Sequence, residues 1–247
     1  LFFFIFIRAK QSIYITSENN KVEIQNMMHD RVVDPFIANN SDDASLKLNF
    51  SLHRRRGKEK YKSSANISFP IFILGAILYP FLKTYAKDIE LCWNMYVNSF
   101  HTKDKDDLLQ VNIFKIFCNL VSASIICSNI IKRSRAKQLF VSNPYSIETI
   151  GALFAAHKAD LETIALQHGV QTLEHFAFKF SKKLDLRGSN TLPKTYYLWD
   201  HYSKADILSF STFEVKGFWF HDYVRKMNIN IENFFDQDFR SYILVTT

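Results

Sequence analysis

Glu162-Thr163-Ile164-Ala165-Leu166-Gln167-His168-Gly169-Val170 is a short apolar run that stops abruptly at Gln-His-Gly. Thr163, Ala165 and Gln167 alternate with Ile164 and Leu166 between polar neighbours, so the stretch reads as a strand covered on both faces, as in a parallel sheet. Gly169 offers the backbone a sharp turn. In open α/β sheets ligands gather beyond the carboxyl ends of the strands, which puts His168 where such a fold does its chemistry.

Working outward, Lys137 to Ser142 is a second strand, and Asn143-Pro144 supplies a helix N-cap with proline at the first helical position. The helix that follows carries Ile147, Ile150, Gly151 and Phe154 on one stripe and ends near Asp160. Before it, Leu109, Ile113, Ile116, Phe117, Leu120, Ser124, Cys127 and Ile131 recur at three- and four-residue steps, marking one amphipathic helix from Asp106 to about Ser134. Lys132, Arg133 and Arg135 close it, where cations suit the negative end of the helix dipole. Helix, strand, helix and strand with short joints describe a βαβ crossover, hence a mainly parallel, Rossmann-like α/β sheet flanked by helices.

The remaining elements fit around this unit. Leu1 to Ile7 is a run of strand length, Lys21 to Gln25 a short exposed strand, His29 to Ile37 a helical start at Pro35, and Leu46 to Phe50 another strand. Downstream, Phe176 to Asn190 is an excursion rich in Lys and Phe. Thr195 to Trp199 is a strand, His201 to Phe210 a helix, and Phe213 to Gly217 a further strand. Residues 1–240 read as one domain, and 241–247 as a strand just beginning, so the chain is expected to be a piece of something longer.

Composition is globular: 24 Phe, 22% charged residues, and few glycines or prolines. The net charge of +7 is local, because Arg54, Arg55, Arg56, Lys58, Lys60 and Lys62 face only Glu59 between His53 and Lys62. A nucleic-acid face would spread or interleave its cations with stacking aromatics, and no such pattern appears. Cys92, Cys118 and Cys127 lack paired spacing and sit in apolar helical patterns, which reads as buried free thiols in a reducing cytoplasmic setting.

Several chemistries lack their motifs. No glycines cluster as a phosphate-binding loop, no histidines or cysteines have zinc spacing, and no serine sits in a nucleophile elbow. No metal and no protein-bound cofactor are therefore expected. What remains is His168, an imidazole able to take a proton from a hydroxyl near neutral pH, set against the plainer reading of a histidine that only fixes its loop. Gln167, Gly169, Asn143 and Trp199 would shape the same pocket, with His175 and Glu174 lining it or simply solvated. Asp30 and Asp34 would share a helix face, solvated or capping.

Ile67 to Leu82 holds no charge, yet it is shorter than the ~20 residues a spanning helix needs. With the basic run before it, led by Arg54, Arg55, Arg56, Lys58 and Lys60, it reads either as a helix pressed on an anionic membrane surface or as a core helix behind a solvated loop.

Three segments resemble bacterial surface-carbohydrate glycosyltransferases of GT-B architecture: Lys21 to Ile24 through His29 to Pro35, the Glu162 to Val170 strand with its Gln-His-Gly end, and Tyr197-Leu198-Trp199-Asp200-His201-Tyr202. A similar His-Gly strand end occurs in the CDP-glycerol glycerophosphotransferases, where it belongs to the active site. The sequence departs from the pattern with Asp200 in place of a glycine and Lys216-Gly217-Phe218 in place of Gly-Asn-Pro. The resemblance implies an acceptor-side domain for capsule or lipopolysaccharide glycans, with His168 as base. It also implies a nucleotide-sugar donor held mainly by a second domain and a glycan or lipid-linked acceptor; the cytoplasmic setting is read from the cysteines, and contact with the inner-membrane surface from the basic run alone. Without that second domain the piece would lack turnover. Two other classes fit the residues: a non-catalytic, membrane-associated carbohydrate-assembly protein, and a sugar-nucleotide epimerase-like enzyme.

Overall fold

The computed structural model describes residues 9–24, 26–39, 44–50, 58–59, 64–98, 112–169, 190–201 and 211–227. The expected strand around Ile164 forms as β8 (Glu162–Leu166) and pairs in parallel with β7 (Gln138–Val141) on one side and β9 (Thr195–Leu198) on the other. The other strands of this sheet are β1 (Ser12–Ser17), β4 (Ser45–Phe50), β6 (Ser64–Asn66) and β10 (Thr212–Val215). Among the described residues the sheet has seven strands in the order β10-β9-β8-β7-β1-β4-β6, and every pairing is parallel. Strands are added outward from β1 in both directions, so the winding reverses between β1 and β7. This is the Rossmann-like, doubly wound order with its topological switch point at that gap. A small second sheet joins β2 (Lys21–Ile24) and β3 (Met27–Asp30) antiparallel, with the two-residue β5 (Lys58–Glu59) beside β3.

Both faces of the large sheet are covered, which is why its inner strands read as continuous runs rather than alternations. Ile13, Ile15, Leu139, Val141 and Ala165 pack toward α4 (Ile113–Ser134) and α5 (Ile147–Lys158). Tyr14, Phe140, Ile164 and Leu166 face the other way, with Val32, Val33 and Ile37 of the segment around α1 (Asp34–Asn39) and Trp219 of α6 (Trp219–Lys226). A Cβ on Gly151 would lie 2.7 Å from the Leu120 carbonyl oxygen and 2.8 Å from Ala123, so a glycine there lets α4 and α5 meet backbone to backbone. Asn112 caps α4 through its side chain, and Arg135 ends it at φ 56°.

Several local expectations change. Ser146, not Asn143, caps α5, accepting from the Thr149 amide at 3.2 Å, while Asn143 accepts from the Tyr145 amide in a turn before the helix. His29 and Asp30 belong to strand β3, and the helix begins only at Asp34, with Pro35 in its first turn. Of the three thiols Cys118 and Cys127 are buried, but Cys92 is exposed on α3 (Ala86–Asn98). Asp30 and Asp34 are not solvated; both side chains are fully buried. Gly169 has no positive φ, and among the described residues a Cβ there would meet nothing within 4 Å, so the backbone there does not demand glycine. The uncharged helix α2 (Ser68–Leu82) is not a core helix: it buries Ser68, Ile71 and Gly75 and leaves most of its surface out. The readings of residues 1–7, 174–189, 202–210 and 241–247 lie outside the described residues.

Candidate functional site

Two polar groups occupy the carboxyl edge of the sheet. The first fills the switch point. Lys47 sits beside Tyr14 in the β1–β4 register, and its Nζ donates to Asp34 Oδ1 at 2.7 Å, with Asp30 Oδ2 at 4.0 Å. Thr16, on the same face of β1, donates its hydroxyl to Asp30 Oδ2 at 2.5 Å. Asn20 Nδ2 donates to Thr16 Oγ1 and, at 2.9 Å, to Ser142 Oγ, tying the end of β1 to the end of β7. The amides of Val32 and Val33 donate to Asp30 Oδ1, and that of Asp30 donates to Asp34 Oδ2. Burial pushes the Asp34 carboxyl up to about 7 against the lowering pull of Lys47, with the neighbouring Asp30 charge adding to the rise. Two buried carboxylates, one ammonium and a set of hydroxyl and amide donors satisfy one another here.

The second group lies two strands over. His168 follows β8 by two residues, and its Nε2 is 3.0 Å from the Tyr145 hydroxyl in the β7–α5 loop. Partial burial raises the Tyr145 hydroxyl above its ordinary range, so it stays protonated and can donate to that nitrogen. A neutral imidazole with Nε2 as acceptor is the form a general base requires. Gln167, 2% exposed, is committed elsewhere. Its Oε1 accepts from the Trp199 amide at 2.7 Å, its Nε2 donates to the Gly169 carbonyl at 3.0 Å, and its own amide donates to the Tyr197 carbonyl. Gln167 thus fastens the ends of β8 and β9 together and holds the loop in which His168 stands.

Trp199, the residue after β9, stands edge-on to Phe218 at 4.9 Å and to Trp219 at 6.2 Å. Among the described residues its buried indole Nε1 meets no hydrogen-bond partner, a donor that a ligand or an ordered water would satisfy. Among the expected site residues, then, His168, Gln167, Gly169, Asn143 and Trp199 come together at the ends of β7, β8 and β9. His175 and the cations Arg54, Arg55, Arg56 and Lys60 lie outside the described residues, and Lys58 is placed only as backbone in β5. Tyr145 was missed because the sequence reading ran the helix through it. Its signal was its place, two residues after Asn143 at the end of the strand next to β8. Among the described residues no three His, Cys, Asp or Glu side chains meet as a metal site.

Comparison with protein families, with curated proteins and with solved structures finds no match to this chain.

Proposed function

We propose that the ends of β7, β8 and β9 form the acceptor site of a glycosyltransferase of GT-B type, with His168 as the base that takes the acceptor hydroxyl proton. The observation that carries this reading is the imidazole at the carboxyl end of a central parallel strand, its Nε2 in reach of the Tyr145 hydroxyl. As the acceptor oxygen bonds to the sugar carbon, the bond to the nucleoside diphosphate breaks, and the proton passes to His168 Nε2. The hydroxyl reaches that nitrogen either by displacing Tyr145 or through it. Trp199 and Phe218 offer apolar ring surface of the kind that lies against sugar rings, and the indole N–H offers a donor to a hydroxyl. The resemblance of Glu162 to Val170 to a Gln-His-Gly strand end supports a surface glycan as acceptor and a nucleotide sugar as donor.

The test is release of nucleoside diphosphate from a panel of nucleotide sugars, offered with free and lipid-linked glycans, by the natural full-length protein. His168→Ala should lower turnover by about 10²- to 10⁴-fold, the usual range for a general base, without changing the thermal melt. Turnover at the parent rate would remove His168 as the base.

A further inference from the structure

The molecule has a second unusual surface, on α2 and α3 beside α4. Helix α2 continues through a 3-10 turn (Lys83–Tyr85) into α3, so that Ser68–Met95 forms one helical stretch of 28 residues. Ile71 and Gly75 hold this stretch on the rest of the protein, Gly75 so closely that a Cβ would come within 2.5 Å of the Asn119 side-chain oxygen. Away from that contact, among the described residues, nine large apolar side chains from Phe69 to Met95 stand 41–73% exposed. A helix apolar over so much of its surface is normally enclosed by something else.

We infer that this face pairs with the same face of a second copy of the chain, the two α2–α3 stretches lying antiparallel about a twofold axis near Ala86 and Lys87. Size is the first argument. Nine half-exposed side chains of roughly 200 Å² leave about 900 Å² of apolar surface in water. That exceeds the roughly 300–600 Å² of the largest patch on a typical monomer and matches the about 800 Å² that each partner gives to a stable interface. Charge is the second argument, and it chooses the occupant. Lys83, Lys87, Asp88 and Glu90 are all exposed, two cations and two acids, and among the described residues none of them forms an ion pair. Lys83 and Glu90 are seven residues apart, about two turns, and so share one flank of the stretch. In an antiparallel twofold pair that flank meets itself, which brings Lys83 of each copy opposite Glu90 of the other. Lys87 and Asp88, beside the axis, meet across it in the same reciprocal way. A parallel pairing would set like charges level with one another, and an anionic bilayer would repel Asp88 and Glu90.

This inference stands apart from the glycosyltransferase reading, and its test needs no substrate. Sedimentation equilibrium of the full chain over a wide range of concentration should show a dimer that dissociates on dilution. Lys83→Glu turns both flank contacts into acid against acid, and Glu90→Lys turns both into base against base. Each variant alone, at an exposed position, should raise the dissociation constant at least about tenfold while leaving the circular dichroism spectrum unchanged. Mixed together, the two variants are complementary at both contacts, so a differently tagged pair should associate with the parental affinity. The double variant Lys83→Glu with Glu90→Lys should recover it as well. Phe81→Ser with Leu91→Ser, both at exposed positions, should give a folded monomer. Three results would each overturn the inference: a monomer at every concentration, including one that floats with phosphatidylcholine vesicles instead; a dimer indifferent to Lys83 and Glu90; or single variants that weaken the dimer and a mixture that fails to restore it.

Discussion

The switch-point cluster and the His168 group lie on the same edge of the same sheet, two strands apart, and both are built from polar side chains at strand ends. They differ in closure. Around Lys47 every carboxylate, hydroxyl and amide of the cluster finds a partner within the fold, and all six of its main residues are buried. Around His168 the ring is half-buried, and among the described residues a Cβ on Gly169 would meet nothing within 4 Å and the Trp199 indole nitrogen has no hydrogen-bond partner. In doubly wound folds the switch point is where a ligand is first sought. Here Asp30 of the β2–β3 hairpin and Asp34 at the start of α1 fill that crevice, and the half-buried edge lies further along, at β8. Position in a fold nominates a site, and the accounting of hydrogen bonds decides between nominees.

That comparison breaks most visibly at Lys47. Lys47→Met leaves Asp30 and Asp34 buried without their cation and should destabilise the protein by about 3–5 kcal/mol in chemical denaturation, since one partner of a buried pair has been removed. If the loss is below about 1 kcal/mol, water reaches the carboxylates and the cluster is open after all. Gln167→Ala should cost about 2 kcal/mol by orphaning the Trp199 amide, and should lower turnover because the His168 loop loosens. A melt unchanged by this variant would mean that Gln167 is free to meet ligand.

The pH dependence sharpens the contrast. The folded Asp34 carboxyl lies near 7 and its ordinary value is 3.8, so between those limits the folded protein holds the extra proton. Stability from this group is therefore greatest in acid and falls as pH rises through 7, with a slope of at most about 1.4 kcal/mol per pH unit. Asp34→Asn should flatten that slope in melts taken from pH 4 to pH 7, whatever its effect on absolute stability. A slope identical in the variant would place the titration elsewhere. The smallest effect is expected at Tyr145. Tyr145→Phe removes one hydrogen bond and should lower turnover about tenfold while leaving the melt within about 1 kcal/mol. An undiminished rate would mean that the hydroxyl neither orients the imidazole nor passes its proton.

The sequence displayed the α/β frame well because covered parallel strands leave a local trace: unbroken apolar runs such as Ile164 to Leu166, joined by a helix with its own period. It displayed His168 because the motif ends where its strand ends. It hid the switch-point cluster. Asp30 and Asp34, four apart, look like one face of a surface helix, and Leu46-Lys47-Leu48-Asn49 looks like a strand with its polar side in water. Only the pairing of β1 with β4 and the folding back of β3 bring Lys47 to the carboxylates. The exposure of α2 was equally invisible, because a helix apolar all round reads the same whether protein or lipid surrounds it.

The most direct test of the account is an NMR titration of the chain with a panel of neutral and acidic oligosaccharides, following the imidazole signals of His168 and the three tryptophan indole N–H signals. The account predicts shifts at His168 and at the Trp199 indole, with the Trp219 indole, already donating to the Val32 carbonyl at 3.1 Å, and the Lys47 ammonium unmoved. Shifts confined to Lys47, Asp30 and Asp34 would show that the ligand enters the switch point and that the His168 edge is not the site.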